Sequence, residues 1–138
     1  MTKYFRFIYL TALVPVLLAG CTGEATRHLP EGAVYLTEPT TYSPHAGVIC
    51  DEPGEGLADA CFDRYGISLG LTGVYLGHAA QDRVMAMIKE AGDSFNSSLF
   101  TLSDGVTCDA KRRKCWHGRA NPDYGTPAPR HTKALFGS

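Results

Sequence analysis

No stretch of the 138-residue sequence stays apolar for the roughly 20 residues that a membrane-spanning helix needs; the longest hydrophobic run, Phe7 to Leu18, is short and contains Pro15. A spanning helix is therefore not expected. An excess of charge of one sign is also lacking. The 13 Lys and Arg face 14 Asp and Glu, a balance that disfavours nucleic acid as a partner. The cysteines lack the close C-x2-C or C-x4-C spacing of structural zinc, so no metal and no cofactor is expected. The most suggestive polar residues, Ser43, His45, His78 and His117, lie in no H-E-x-x-H, G-x-S-x-G or glycine-rich phosphate loop. No catalytic residue is assigned on this reading, and the chain is expected not to be an enzyme.

What the sequence does contain is a bacterial lipobox, Leu18-Ala19-Gly20-Cys21. Lys3 and Arg6 form a positive segment, Phe7 to Leu18 an apolar one, and small residues precede the cysteine, the order of an export signal. This predicts a lipoprotein signal peptide over 1–20, cleavage before Cys21 and acylation of that residue. Two or three acyl chains hold a protein on a bilayer almost permanently, at about 0.8 kcal/mol per buried methylene. Thr22 in place of Asp at the following position favours the outer membrane, with the leaflet left open. Losing Lys3 and Arg6 leaves 11 basic against 14 acidic residues, a net charge of −3 on the mature chain. Residues 21–44, rich in Thr, Pro, Gly and Glu, read as a lipidated tether. Ala33 to Leu36 is an apolar island there that could add an edge strand. Residues 45–138 read as one small domain.

With Cys21 committed to lipid, Cys50, Cys61, Cys108 and Cys115 remain, an even number in an exported chain and hence two disulfides. Spacing alone leaves three pairings open. The local sequences favour two. Gly47-Val48-Ile49-Cys50-Asp51 and Gly105-Val106-Thr107-Cys108-Asp109 share the pattern G-V-x-C-D, each followed by a polar turn, a second cysteine and an aromatic, Phe62 or Trp116. A β-forming run, a turn and a return strand make a hairpin, so Cys50–Cys61 and Cys108–Cys115 are the expected bridges. A two-residue turn at Lys111-Arg112 would set Asp109 opposite Lys114.

Between the hairpins, Tyr65 to Leu71 reads as a strand and Thr72 to Ala91 as one helix. Its stripe is Leu76, Ala80, Val84, Met87, Ile88 and Ala91, closed by Gly92. Met85 and Met87 read as core rather than as copper ligands. Lys133 to Phe136 returns an apolar plug. The expected fold is α+β, one helix packed on a small antiparallel sheet of four or five strands with two disulfide-stapled hairpins.

The order of two G-V-x-C-D copies around a helix, with Tyr75-Leu76-Gly77, Phe100, Asp104 and the terminal Leu135-Phe136-Gly137, resembles the YcgJ-like family, also called Fels prophage-type proteins. The resemblance runs from about His45 to Gly137. It implies a small exported domain from enterobacterial or prophage-derived settings, and brings no activity or catalytic residue with it. The lipobox and the longer first hairpin loop depart from that pattern.

Binding is the expected role. The first hairpin tip carries Asp51, Glu52, Glu55 and Asp59; the second carries Lys111, Arg112, Arg113 and Lys114, flanked by Trp116, His117 and Arg119. The basic patch is suited to an anionic envelope component, such as lipopolysaccharide phosphate, or to an acidic protein face. Opposite tips could also associate head to tail. An inhibitor of a periplasmic or host hydrolase is a more specific form of the same idea. A small hydrolase built on Asp51 and Asp109 as paired carboxylates is the enzymatic alternative.

Overall fold

The computed structural model describes residues 29–54, 59–119, 121, 123 and 125–137. The lipobox and Cys21 lie outside the described residues, as does Glu55 of the first hairpin tip. Among the described residues no helix is long and apolar enough to cross a membrane.

The chain is α+β, with two antiparallel sheets and three α-helices where the sequence suggested one of each. Sheet one runs β1 (Val34–Thr37), β2 (Thr41–Ser43), β3 (Val48–Asp51), β4 (Ala60–Asp63) and β5 (Gly66–Ser68), each strand paired with its chain neighbour. Helices α1 (Leu69–Leu76) and α2 (His78–Ala91) follow, then sheet two: β6 (Leu99–Thr101), β7 (Val106–Asp109), β8 (Lys114–His117) and β9 (Thr126–Pro127). Helix α3 (Pro129–Phe136) ends the fold. Strands β1 and β2 lie inside the segment read as tether, so the ordered sheet begins at Val34 rather than near residue 45.

Both predicted disulfides are present, Cys50–Cys61 and Cys108–Cys115. In each hairpin the cysteines sit directly opposite one another, which brings their Cα atoms to 4.1 Å. The second turn differs from expectation. The ladder ends at Asp109 opposite Lys114, leaving four residues from Ala110 to Arg113, with Arg113 at φ 54°.

The long helix divides for a local reason. Gly77 adopts φ 90°, outside helical space, and its N–H closes α1 on the Gly73 carbonyl while its own carbonyl receives the Gln81 N–H. The chain ahead of α1 is also shorter as a strand than Tyr65 to Leu71 suggested, because Ser68 caps the helix by accepting the Leu71 N–H at 3.2 Å. On α2, Ala80 and Val84 are buried and Ile88 packs on the core, but Met85 and Met87 are exposed. The stripe is thus narrower than the sequence suggested.

The motif used twice belongs to a larger repeat. Strands β2 to β5 with α1, and β6 to β9 with α3, are each a four-stranded meander followed by an eight-residue helix. The second cysteine of each unit is held in the same way. Cys61 N–H donates to Thr72 Oγ1 at 2.9 Å, and Thr72 donates to Ser68 O; Cys115 N–H donates to Thr132 Oγ1 at 3.0 Å, and Thr132 donates to Ala128 O. Thr72 and Thr132 are each the fourth residue of their helix. One core joins the units, with Ile49, Phe62 and Val84 meeting Leu102, Val106, Leu135 and Phe136; Phe62 stacks on Phe100 at 4.1 Å between ring centres.

The seam between the units passes Gly66, where Ile67 N–H donates to Ser97 O at 3.0 Å. Gly66 has φ 119°, and a Cβ there would run into the Ser97 carbonyl. Gly66→Ala is expected to lower stability by about 3 kcal/mol through strain and displaced backbone. Gly70→Ala, on an open face of α1, should raise it by about 0.5 to 1 kcal/mol. Urea midpoints of the two variants test the pair.

Candidate functional site

Two polar regions stand out, one buried and one open. The buried one forms where β1, β3, the β6–β7 turn and α3 converge. Asp104 Oδ2 lies 2.7 Å from His131 Nε2 and accepts the Thr37 hydroxyl at 2.8 Å, while its Oδ1 accepts the Val106 N–H at 3.0 Å. Asp51 accepts the Ser103 N–H at 2.7 Å, the Ser103 hydroxyl at 2.6 Å and the Thr41 hydroxyl at 3.1 Å. Burial raises the cost of charge on both carboxyls, with different results. At Asp104 the bonds from His131, Val106 and Thr37 outweigh burial and hold the carboxyl below its usual pKa. At Asp51 burial prevails over the bonds from Ser103 and Thr41, the charge of Asp104 adds to it, and the carboxyl is pushed up.

An aspartate and a histidine in contact could suggest a catalytic dyad. Here the side chains are only 6% and 3% exposed for His131 and Asp104, and every donor around Asp104 comes from a structural element it ties down. The pair locks α3 to the β6–β7 turn and to β1. The sequence reading did not single out His131, because nothing near it in the chain marks it. The proposed carboxylate pair is not assembled. Asp51 is buried on β3, whereas Asp109, on β7 of the other sheet, accepts the Lys111 and Arg112 N–H groups in its own turn.

A second signal was also missed. Gly66-Ile67-Ser68-Leu69-Gly70 fits G-x-S-x-G and crosses from β5 into α1, the context in which a nucleophilic serine occurs. Ser68 nevertheless has ordinary extended backbone (φ −121°, ψ 112°), and its hydroxyl oxygen is engaged by the Leu71 N–H. It serves as a helix cap.

The open region is basic. Of the predicted patch, Lys111, Arg112, Lys114, His117 and Arg119 are exposed, but Trp116 is not: it is 2% exposed, on β8. Its ring lies where a Cβ on Gly125 would collide with it, so it is a core residue and leaves the patch. Arg113 is exposed yet anchored, donating to the Phe136 carbonyl at 3.1 Å with its guanidinium over the Phe136 ring. Arg112 is 3.7 Å from Asp109. Two residues the sequence reading did not connect with the patch, Arg64 and Tyr65, join it from the β4–β5 turn. Arg64 lies 5.3 Å over the Tyr65 ring, and both line a cavity of about 530 Å³ with Lys111 and another of about 540 Å³ with Arg113 and Lys133. Among the described residues, Arg64, Arg113 and Lys133 make no ion pair. The acidic counterpart is diminished, since Asp51 is buried and Asp59 is 3.5 Å from Arg83. Of the other two acidic tip residues, Glu52 is half-buried and Glu55 lies outside the described residues. Among the described residues no group of acidic, His and Cys side chains is arranged to hold a metal.

The fold thus defines a class: a small α+β domain of two meander-and-helix units, each closed by a disulfide across its central hairpin. A family model described as "YcgJ protein" matches residues 41–136, and the chain belongs to that family. A relative from Escherichia coli (strain K12), described as "Uncharacterized protein YcgJ", is 34% identical over 73 residues, covering 53% of this chain. The chain spans about half, 51%, of that relative's length. No solved structure matches.

Proposed function

We propose that this protein is an outer-membrane lipoprotein, acylated at Cys21, whose folded domain binds an anionic partner at the cell envelope and performs no chemistry of its own. The observation that carries the binding part is the cluster of Arg64, Lys111, Arg113 and Lys133 around Tyr65, which make no ion pair among the described residues and adjoin the exposed β7–β8 turn. Arginine beside an exposed aromatic is a combination that dominates interfaces, and Tyr65 is 74% exposed. The lipobox supports the anchoring part.

Two measurements test this. Mass spectrometry of the N-terminal peptide from envelope fractions should find lipid on Cys21; an unmodified cysteine overturns the anchor. Crosslinking in intact cells should capture a partner whose yield falls several-fold when Lys111, Arg112 and Lys114 are changed to Glu, and falls again in high salt. Capture unaffected by the triple change would overturn this use of the turn.

A further inference from the structure

The two cavities flanking Arg64 are part of a longer feature. A third depression, about 410 Å³, shares His45, Ala46 and Lys133 with the second and is also lined by Arg130, Gly32 and Val34. The three adjoin in a row, from β1 past the end of α3 to the β7–β8 turn. Arg130, Lys133, Arg113, Arg64 and Lys111 line them, and the one carboxylate among their described lining residues is Asp63. One oxygen of Asp63 is already committed to the Tyr65 N–H at 2.8 Å. Arg113 is held in place by the Phe136 carbonyl, and Arg130 by the Leu36 and Tyr35 carbonyls. A net-acidic mature chain therefore presents one elongated basic face.

The position of the chain entry identifies the occupant. Gly32 and Val34, where the chain arrives from the predicted anchor, line this third depression, and Val34 is itself exposed. The basic face thus begins where the tether reaches the domain. We infer that this face lies on the membrane surface and docks onto phosphate-bearing lipid headgroups, with Tyr65 at the headgroup level. The inference deepens the anchored-binder reading and rests on it for the tether. Each Lys or Arg near an anionic bilayer contributes about 1 kcal/mol, so several acting together suffice to orient a domain already held by lipid.

The test uses the mature protein reconstituted into vesicles of phosphatidylcholine alone or with phosphatidylglycerol, followed by hydrogen exchange. Peptides covering 63–66, 110–114 and 133–137 should exchange several-fold more slowly on the anionic vesicles in low salt. That protection should vanish in 0.5 M salt and in the Arg64→Glu/Lys111→Glu variant, and persist in Arg64→Lys/Lys111→Arg. Equal exchange on both vesicles overturns the inference. Protection produced by poly-glutamate on neutral vesicles, but not by phosphatidylglycerol, also overturns it, in favour of an acidic polypeptide. Intact mass of the same sample reports lipid on Cys21 independently. Lipidated protein without protection sinks the docking alone, whereas protection without lipid supports docking and sinks the anchor.

Discussion

Replacing all four domain cysteines by alanine, or reducing both disulfides, is expected to lower stability by about 5 kcal/mol and leave the domain largely unfolded at 37 °C. The bridges close loops with sequence separations of 11 and 7, short enough that each contributes roughly 2.5 to 3 kcal/mol by restricting the unfolded chain. A domain of this size has only about 5 to 15 kcal/mol of net stability. Cys50, Cys61, Cys108 and Cys115 are all fully buried, so alanine also leaves space in the core. Guanidinium unfolding with and without reductant, followed by the near-ultraviolet signal of buried Trp116, measures the effect. Coincident midpoints would contradict it.

The second large effect belongs to Asp104. Asp104→Ala is expected to cost about 3 to 5 kcal/mol, because it strands His131 and the Val106 N–H in a buried site and takes the acceptor from the exposed Thr37 hydroxyl. The sign of its pH dependence follows from the depressed carboxyl. Folding favours the ionised form, so this stability is complete above the unfolded carboxylate value near about 4 and drains away as pH falls through the lower folded value. Asp104→Asn should flatten that acid limb. Asp51 acts in the opposite direction. Its folded value is raised, so its contribution is present below about 4 and is lost as pH rises through the folded value. Asp51→Asn, which keeps an acceptor for the Ser103 N–H, should therefore be tolerated at neutral pH, where Asp104→Asn is not. Thermal unfolding of both variants from pH 3 to 7 separates the two.

How much of this was legible in the chain depends on how local the cause is. The disulfide pairing was legible because in each hairpin the cysteines flank a turn and face one another through strand geometry. The helical stripe was partly legible, since period sets which residues share a face, but Gly77 breaks the helix through a conformation that periodicity does not register. Trp116 illustrates the opposite case. Its immediate neighbours are buried Cys115 and exposed His117, and alternation along β8 puts it on the face of exposed Lys114; what buries it is the close approach of Gly125 to its ring. Ser68 illustrates a motif whose spacing is right and whose use is structural.

By itself the sequence determined the α+β class, the two stapled hairpins and the family. Each rests on patterns within a few residues, where strand alternation, turn chemistry and cysteine spacing act directly. Only the tertiary structure decided that each hairpin is the centre of one copy of a repeated unit, that Asp51 of the first copy ties to Ser103 of the second, and that Asp104 and His131, 27 positions apart, join the β6–β7 turn to α3 within the second. It also decided that Arg64, Lys111, Arg113, Arg130 and Lys133 share one face. Charges from the β4–β5 turn, the β7–β8 turn and α3 become neighbours only when the common core closes. Burial then assigns a role to each: Asp51 is taken out of solvent, while Arg64 makes no ion pair among the described residues.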